Sequence, residues 1–179
     1  MILGIDYSLT STGLAVLCDD GSTDTCIIRS PKDDGSIESI VHRIEQIADE
    51  VEAWADLAAD DIVVLEGFVN HARSPHRGKI AAGWWAVARR VSMLTESPVI
   101  VVPPKTRAKY ATGNGAAGKQ AVVEQVTARY PQFRIDGSDD IADAVALVAI
   151  GARMLGRPID PELPETNRSA LNTIMEKGS

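Results

Sequence analysis

From Ala144 to Ala152 the chain is apolar at every position, and a helix with no polar face must be buried, with other elements packed around it. The helix starts near Ser138 or Asp139, so Asp140 and Asp143, three residues apart, fall on one face. Asp143 sits at the edge of the apolar segment. A lone carboxylate there carries a desolvation cost unless it is paired or bound to a metal.

The elements that could bury such a helix are readable upstream. Ile2-Leu3-Gly4-Ile5-Asp6 is a short apolar strand ending in an acid, followed by the polar loop 7–12. Gly13 to Cys18 and Thr23 to Arg29 make two further strands joined by the turn Asp19-Asp20-Gly21-Ser22, which predicts an antiparallel meander. Apolar residues at 37, 40, 41, 44, 47, 48, 51, 54 and 55 keep helical spacing for five turns. Ile62-Val63-Val64-Leu65 is a strand buried on both faces and ends in Glu66-Gly67. A second helix carries apolar positions 80, 84, 87, 88, 91 and 94, and Val99 to Val102 is a fifth strand stopped by Pro103-Pro104. A basic, Gly-rich loop then runs from Lys105 to Gly118 and leads into a third helix with apolar residues at 122, 123, 126 and 130. This order predicts an α/β fold: a central mixed five-stranded sheet, antiparallel first and parallel afterwards, flanked by helices. One domain over 1–156 is expected. The proline-rich, polar tail 157–179 is expected to be loose, with a short helix near Ser169–Glu176.

No run approaches the roughly 20 apolar residues of a membrane span, and no basic segment, apolar run and cleavage site opens the chain, so it reads as cytoplasmic. Cys18 and Cys26 fit neither a disulfide framework nor a zinc pattern and read as two small core residues. The net charge of −7 hides a segregation: residues 71–134 carry eleven basic and two acidic side chains, or +9, while the remainder carries −16. Arg73, Arg77, Lys79, Lys105, Arg107, Lys109 and Lys119 of that segment are candidate phosphate contacts, against the plainer reading of solvated helix faces. His71 and His76 lie in the basic loop, where solvent exposure is the simpler reading, and His42 reads as a surface residue.

Asp6 and Glu66 each follow a central strand, and ligands of open α/β sheets gather at the carboxyl ends of such strands. Crowded carboxylates raise one another's pKa and stay ionised near neutrality only around a cation. With oxygen ligands alone, Mg²⁺ or Mn²⁺ is favoured over zinc, and two such ions can promote in-line displacement at a phosphodiester. The alternatives are structural: Asp139 and Asp140 as helix caps or first-turn acids, and Asp6 as a turn residue.

Ile2-Leu3-Gly4-Ile5-Asp6 with Thr12-Gly13, then Leu65-Glu66-Gly67, then Asp140-Ile141-Ala142-Asp143-Ala144-Val145-Ala146, taken in order and spacing, resemble the RuvC Holliday-junction resolvases, including divergent phage-type members. The resemblance spans roughly residues 1–155. It implies an RNase H-like fold, Mg²⁺ as cofactor with Mn²⁺ substituting, two ions per site, and Asp6, Glu66, Asp140 and Asp143 as metal ligands. It implies also a homodimer that cuts four-way DNA junctions symmetrically, leaving 5′-phosphate and 3′-hydroxyl ends. Lys109 and Lys119 fall near the positions of the family's basic residues at the scissile phosphate, Lys119 as a catalytic one. Phe68 is the candidate for the family's aromatic at the junction centre. Many members carry proline and glycine after the first aspartate, where this chain has Tyr7-Ser8.

Gly113 to Gln120 nearly spells a nucleotide-binding phosphate loop, but Gln120 replaces the required hydroxyl and ten residues separate the loop from Val102. No nucleotide cofactor is expected; Lys119 and the loop's N–H groups would serve a DNA phosphate. Trp84 follows the core stripe, whereas its neighbour Trp85 is either a dimer contact or half-exposed. The competing functions are a non-catalytic binder of branched DNA, and an RNase H-like nuclease acting on flaps, forks or RNA–DNA hybrids.

Overall fold

Strand parity decides which acids meet. In the computed structural model, which describes residues 1–68, 76–160 and 162–175, β1 (Ile2–Asp6) pairs antiparallel with β2 (Ser11–Leu17), and β2 with β3 (Thr23–Arg29). β4 (Ile62–Glu66) runs parallel to β1 with Ile5 opposite Leu65, and β5 (Ile100–Val102) runs parallel to β4. The sheet order is β3-β2-β1-β4-β5, the mixed five-stranded sheet expected from the sequence.

Side chains alternate between the two faces. Leu3, Ile5, Val63 and Leu65 pack with α1 (Ile37–Ala55) and α2 (Arg77–Leu94) in one core. Ile2 and Val64 pack on the other face with α5 (Asp139–Met154), joined there by α3 (Pro104–Thr112) and α4 (Lys119–Arg129). Asp6 and Glu66 share the parity of Ile2 and Val64, so both belong to the α5 face. Their matching places at the ends of two parallel neighbours make them adjacent.

α5 carries the all-apolar run, and every residue from Ile141 to Ala152 is buried. Two glycines let it lie flat on the sheet. A Cβ on Gly4 would stand 2.2 Å from the Ala144 carbonyl oxygen, and one on Gly13 would stand 2.1 Å from that of Asp140. No other residue fits at those separations, so β1 and β2 fix the height of the helix start above the sheet. Ser138 caps that start by accepting from the Ile141 N–H.

Three features differ from the sequence reading. Residues 105–112, read as loop, belong to α3, because Pro104 occupies the first helical turn, where a missing N–H costs nothing. Cys18 and Cys26 are half-buried free thiols: Cys26 packs against the core from its edge, whereas Cys18 lies just beyond the end of β2. The stretch after Gly156 contains α6 (Glu165–Arg168), a 3-10 turn (Ser169–Leu171) and α7 (Asn172–Met175), and its Leu163, Asn167, Ala170 and Leu171 are buried. Asn167 donates to the Tyr110 carbonyl of α3 at 2.8 Å, which ties this stretch to the body. Among the described residues, no helix is long and apolar enough to cross a membrane.

Candidate active site

Asp143 is the most buried of the four candidate acids, while Asp6, at the end of β1, is half-buried. Burial pushes the Asp6 carboxyl well above the ordinary carboxylate range, and the negative charges of Glu66 and Asp140 push it the same way, while Arg107 acts against them. The loop that leaves Asp6 is closed by hydroxyls: Thr12 donates to the Ser8 carbonyl at 2.8 Å, and the Ser8 hydroxyl donates to the Ser11 carbonyl at 3.1 Å. Tyr7-Ser8 therefore makes a defined turn in place of proline and glycine.

Glu66 is approached from two sides. Trp84 of α2 donates its indole N–H to the Glu66 carbonyl oxygen at 2.7 Å, anchoring the strand end. Arg107 of α3 donates its Nε to Glu66 Oε1 at 2.5 Å, and its Nη1 lies against Asp143 Oδ1. One guanidinium thus joins an acid from the sheet to an acid from the buried helix, with only 9% of Arg107 exposed. Asp140, one turn before Asp143, accepts from the Ser11 hydroxyl of β2.

The structure brings Asp6, Glu66, Asp140 and Asp143 to one end of the sheet on one face. Asp139 takes a different part, in an ion pair with the exposed Lys119 at the start of α4. That contact holds the Asp139 carboxyl below its usual range and the Lys119 ammonium above its own, with Asp140 and Asp6 adding to the latter. Lys119 accordingly stands at the mouth of the acid cluster. The loop 113–118 ahead of it connects two helices, so the strand that a nucleotide phosphate loop requires is not there.

The other basic candidates separate by partner. Lys79 is tied to Asp33 at 2.5 Å, and Arg107 is turned inward onto the acids instead of outward to solvent, because Glu66 and Asp143 need a counter-charge. Arg90 pairs with Asp49 and Glu52 of α1. Arg77, Lys105 and Lys109 have no ion-pair partner among the described residues and remain available to phosphates. Arg73 and His71 lie outside the described residues; His76 and His42 are exposed. Sequence reasoning missed Ser11, which carries no motif of its own, and the inward role of Arg107, whose signal was the proline that opens its helix.

Beside the end of β4, Gly67, Phe68, Trp84, Trp85, Val101, Pro103 and Pro104 line a cleft of about 430 Å³. Trp84 is buried in the core, as its stripe predicts, while Trp85 is 66% exposed and meets Trp84 edge-on at 4.8 Å between ring centroids.

Oxygen donors alone, with Glu66 and Asp140 charges crowding Asp6, suit a hard divalent cation chemically. Their arrangement is another matter: among the described residues, no three His, Cys, Asp or Glu side chains stand grouped to hold a metal ion. Arg107, wedged between Glu66 and Asp143, already supplies positive charge there.

Comparison with known proteins gives a consistent result. The family model described as crossover junction endodeoxyribonuclease RuvC matches residues 2–151. A curated relative of that description from Mycobacterium sp. (strain KMS) is 31% identical over 153 residues, covering 82% of this chain and 79% of the relative. Two structures of Thermus thermophilus RuvC, one of them in complex with a Holliday junction substrate, superpose with a TM-score of 0.57 at 19% and 20% identity. Each comparison covers 87% of this chain and 96% of the other. The fold is therefore the RNase H-like one.

Proposed function

Since the chain belongs to the RuvC family of crossover junction endodeoxyribonucleases, we propose that it resolves four-way DNA junctions by metal-dependent phosphodiester hydrolysis. The observation that supports this most is the meeting of Asp6, Glu66, Asp140 and Asp143 at one sheet end, from two strands and a buried helix. These four carboxylates would hold the cations, two Mg²⁺ in this reading, with Mn²⁺ able to substitute. When bound, such ions supply the acidity that activates a water and the charge that steadies the departing oxygen.

The chain's own residues then have separable tasks. Ser11 orients Asp140, and the Trp84 indole holds the end of β4 so that Glu66 faces Asp6. Lys119, at the mouth of the cluster, and the unpaired Arg77, Lys105 and Lys109 hold phosphates of the strand being cut. Attack opposite the 3′ oxygen breaks the P–O3′ bond and leaves a 5′-phosphate and a 3′-hydroxyl. The catalytic domain is residues 1–156, with the following segment docked on α3. Two symmetrical cuts require two sites, so this reading includes a homodimer, for which Trp85 of α2, 66% exposed, is a candidate contact.

A competing reading, a branched-DNA binder without activity, draws on the ion pairs that tie Glu66 and Asp143 to Arg107. A labelled four-way junction, incubated with Mg²⁺ and in competition with flaps, forks and RNA–DNA hybrids, separates the two. Paired symmetrical nicks that vanish in EDTA are expected. Junction binding without nicking in Mg²⁺ or Mn²⁺ would establish the binder instead, and preferred cutting of hybrids would move the substrate elsewhere in the superfamily.

A further inference from the structure

Resting on the metal-nuclease reading above, we infer that Arg107 is a displaceable internal counter-ion: its guanidinium occupies Glu66 and Asp143 in the metal-free protein and must leave before divalent cations take those carboxylates. Three observations carry this. Arg107 reaches both acids at once, Nε on Glu66 at 2.5 Å and Nη1 on Asp143, so it engages half of the proposed ligand set. It is nearly buried, so that half of the cluster is neutralised from within rather than by solvent counter-ions. Among the described residues, no cation other than Arg107 is paired with Glu66 or Asp143.

The chemistry favours exchange over a fixed clamp. A guanidinium and a divalent ion compete for the same carboxylate oxygens, and both cannot be fully satisfied on one pair. Arg107 sits on the short helix α3, whose backbone is fixed by its own hydrogen bonds to the Pro103 carbonyl, so the exchange needs only rotation about side-chain bonds. Two events that exclude one another weaken one another by the same factor. The wild-type protein should therefore bind divalent ions less tightly than its four carboxylates would without the arginine. The gain is a metal-free site that does not push itself apart.

A fixed clamp predicts the opposite sign, because an arginine that holds the ligands in place helps the metal. The test is Mn²⁺ binding, measured by calorimetry on the DNA-free full chain for wild type, Arg107→Gln and Arg107→Lys. Arg107→Gln should bind Mn²⁺ about tenfold more tightly than wild type, within the usual span of such couplings. Arg107→Lys, which keeps the charge but loses the two-pronged fit, should fall between them and guards against a Gln variant that fails to fold without metal. Equal or weaker Mn²⁺ binding by folded variants, with wild type binding Mn²⁺ and cleaving junctions, overturns the counter-ion role alone. If wild type and both variants bind no Mn²⁺ and wild type cuts no junction, the nuclease reading beneath it falls as well.

Discussion

Asp6→Asn should reduce junction cleavage on the order of 10³-fold or more while leaving junction binding within a few-fold of wild type. Losing one of four carboxylate charges from the cluster removes several kcal/mol of charge stabilisation from the transition state, and each ~1.4 kcal/mol is tenfold in rate. Binding is retained because Arg77, Lys105, Lys109 and Lys119 lie outside the cluster and still meet phosphates. The same variant should make the metal-free protein more stable at neutral pH. Asp6 has its folded-state pKa raised by burial and by Glu66, so its contribution is favourable while it is protonated and is lost as pH rises through the folded value. Asparagine cannot ionise and escapes that loss. Nicking rates, junction anisotropy and urea unfolding in EDTA, run on the two proteins together, check all three outcomes. A variant that cleaves at the wild-type rate would remove Asp6 from the chemistry.

Asp160→Ala should be the most damaging substitution away from the acid cluster, at roughly 3–5 kcal/mol, because it strands a charge partner in a buried site. Asp160 is 6% exposed. It accepts from Tyr110 at 3.0 Å and Tyr130 at 2.5 Å, and it pairs with Arg153 at 2.7 Å. Those partners come from α3, from the end of α4 and from α5, so one carboxylate ties three helices together. Burial and the Asp160 charge hold both tyrosine hydroxyls above their ordinary pKa, which keeps them protonated as donors. With Asp160 gone, the Arg153 guanidinium loses its carboxylate partner and the Tyr130 hydroxyl its acceptor, and Tyr110 is left with the Ala149 carbonyl at 3.4 Å. α3 carries Arg107, so loosening it should also disturb the acid cluster. Chemical denaturation measures the loss; a change under 1 kcal/mol would mean that water takes the place of the carboxylate without cost.

Much of the site was legible because two periodicities point to it. Apolar runs that end in Asp6 and Glu66 mark neighbouring strand ends, and strand alternation turns both toward the helix that the run Ala144–Ala152 obliges to be buried. Asp140 and Asp143 follow from the start of that helix. What stayed hidden has physical reasons. Pro103-Pro104 ends a strand and begins a helix, two roles with the same local signature, so α3 and the place of Arg107 were read as loop. The stretch after Gly156 is polar enough to suggest a loose tail, yet Leu163, Ala170 and Leu171 suffice to dock it once α3 provides a surface. Segregated positive charge was real in composition and misleading in detail: Lys79, Arg90 and Arg107 neutralise acids from distant segments, pairings that no local pattern encodes.

Crystals soaked in Mn²⁺ and measured at the manganese absorption edge would locate the cations directly. Anomalous peaks should lie within bonding distance of Asp6, Glu66, Asp140 and Asp143 oxygens, with the Arg107 guanidinium moved off Glu66 and Asp143. Peaks elsewhere, or none at these four carboxylates in a protein that cuts junctions, would contradict the account.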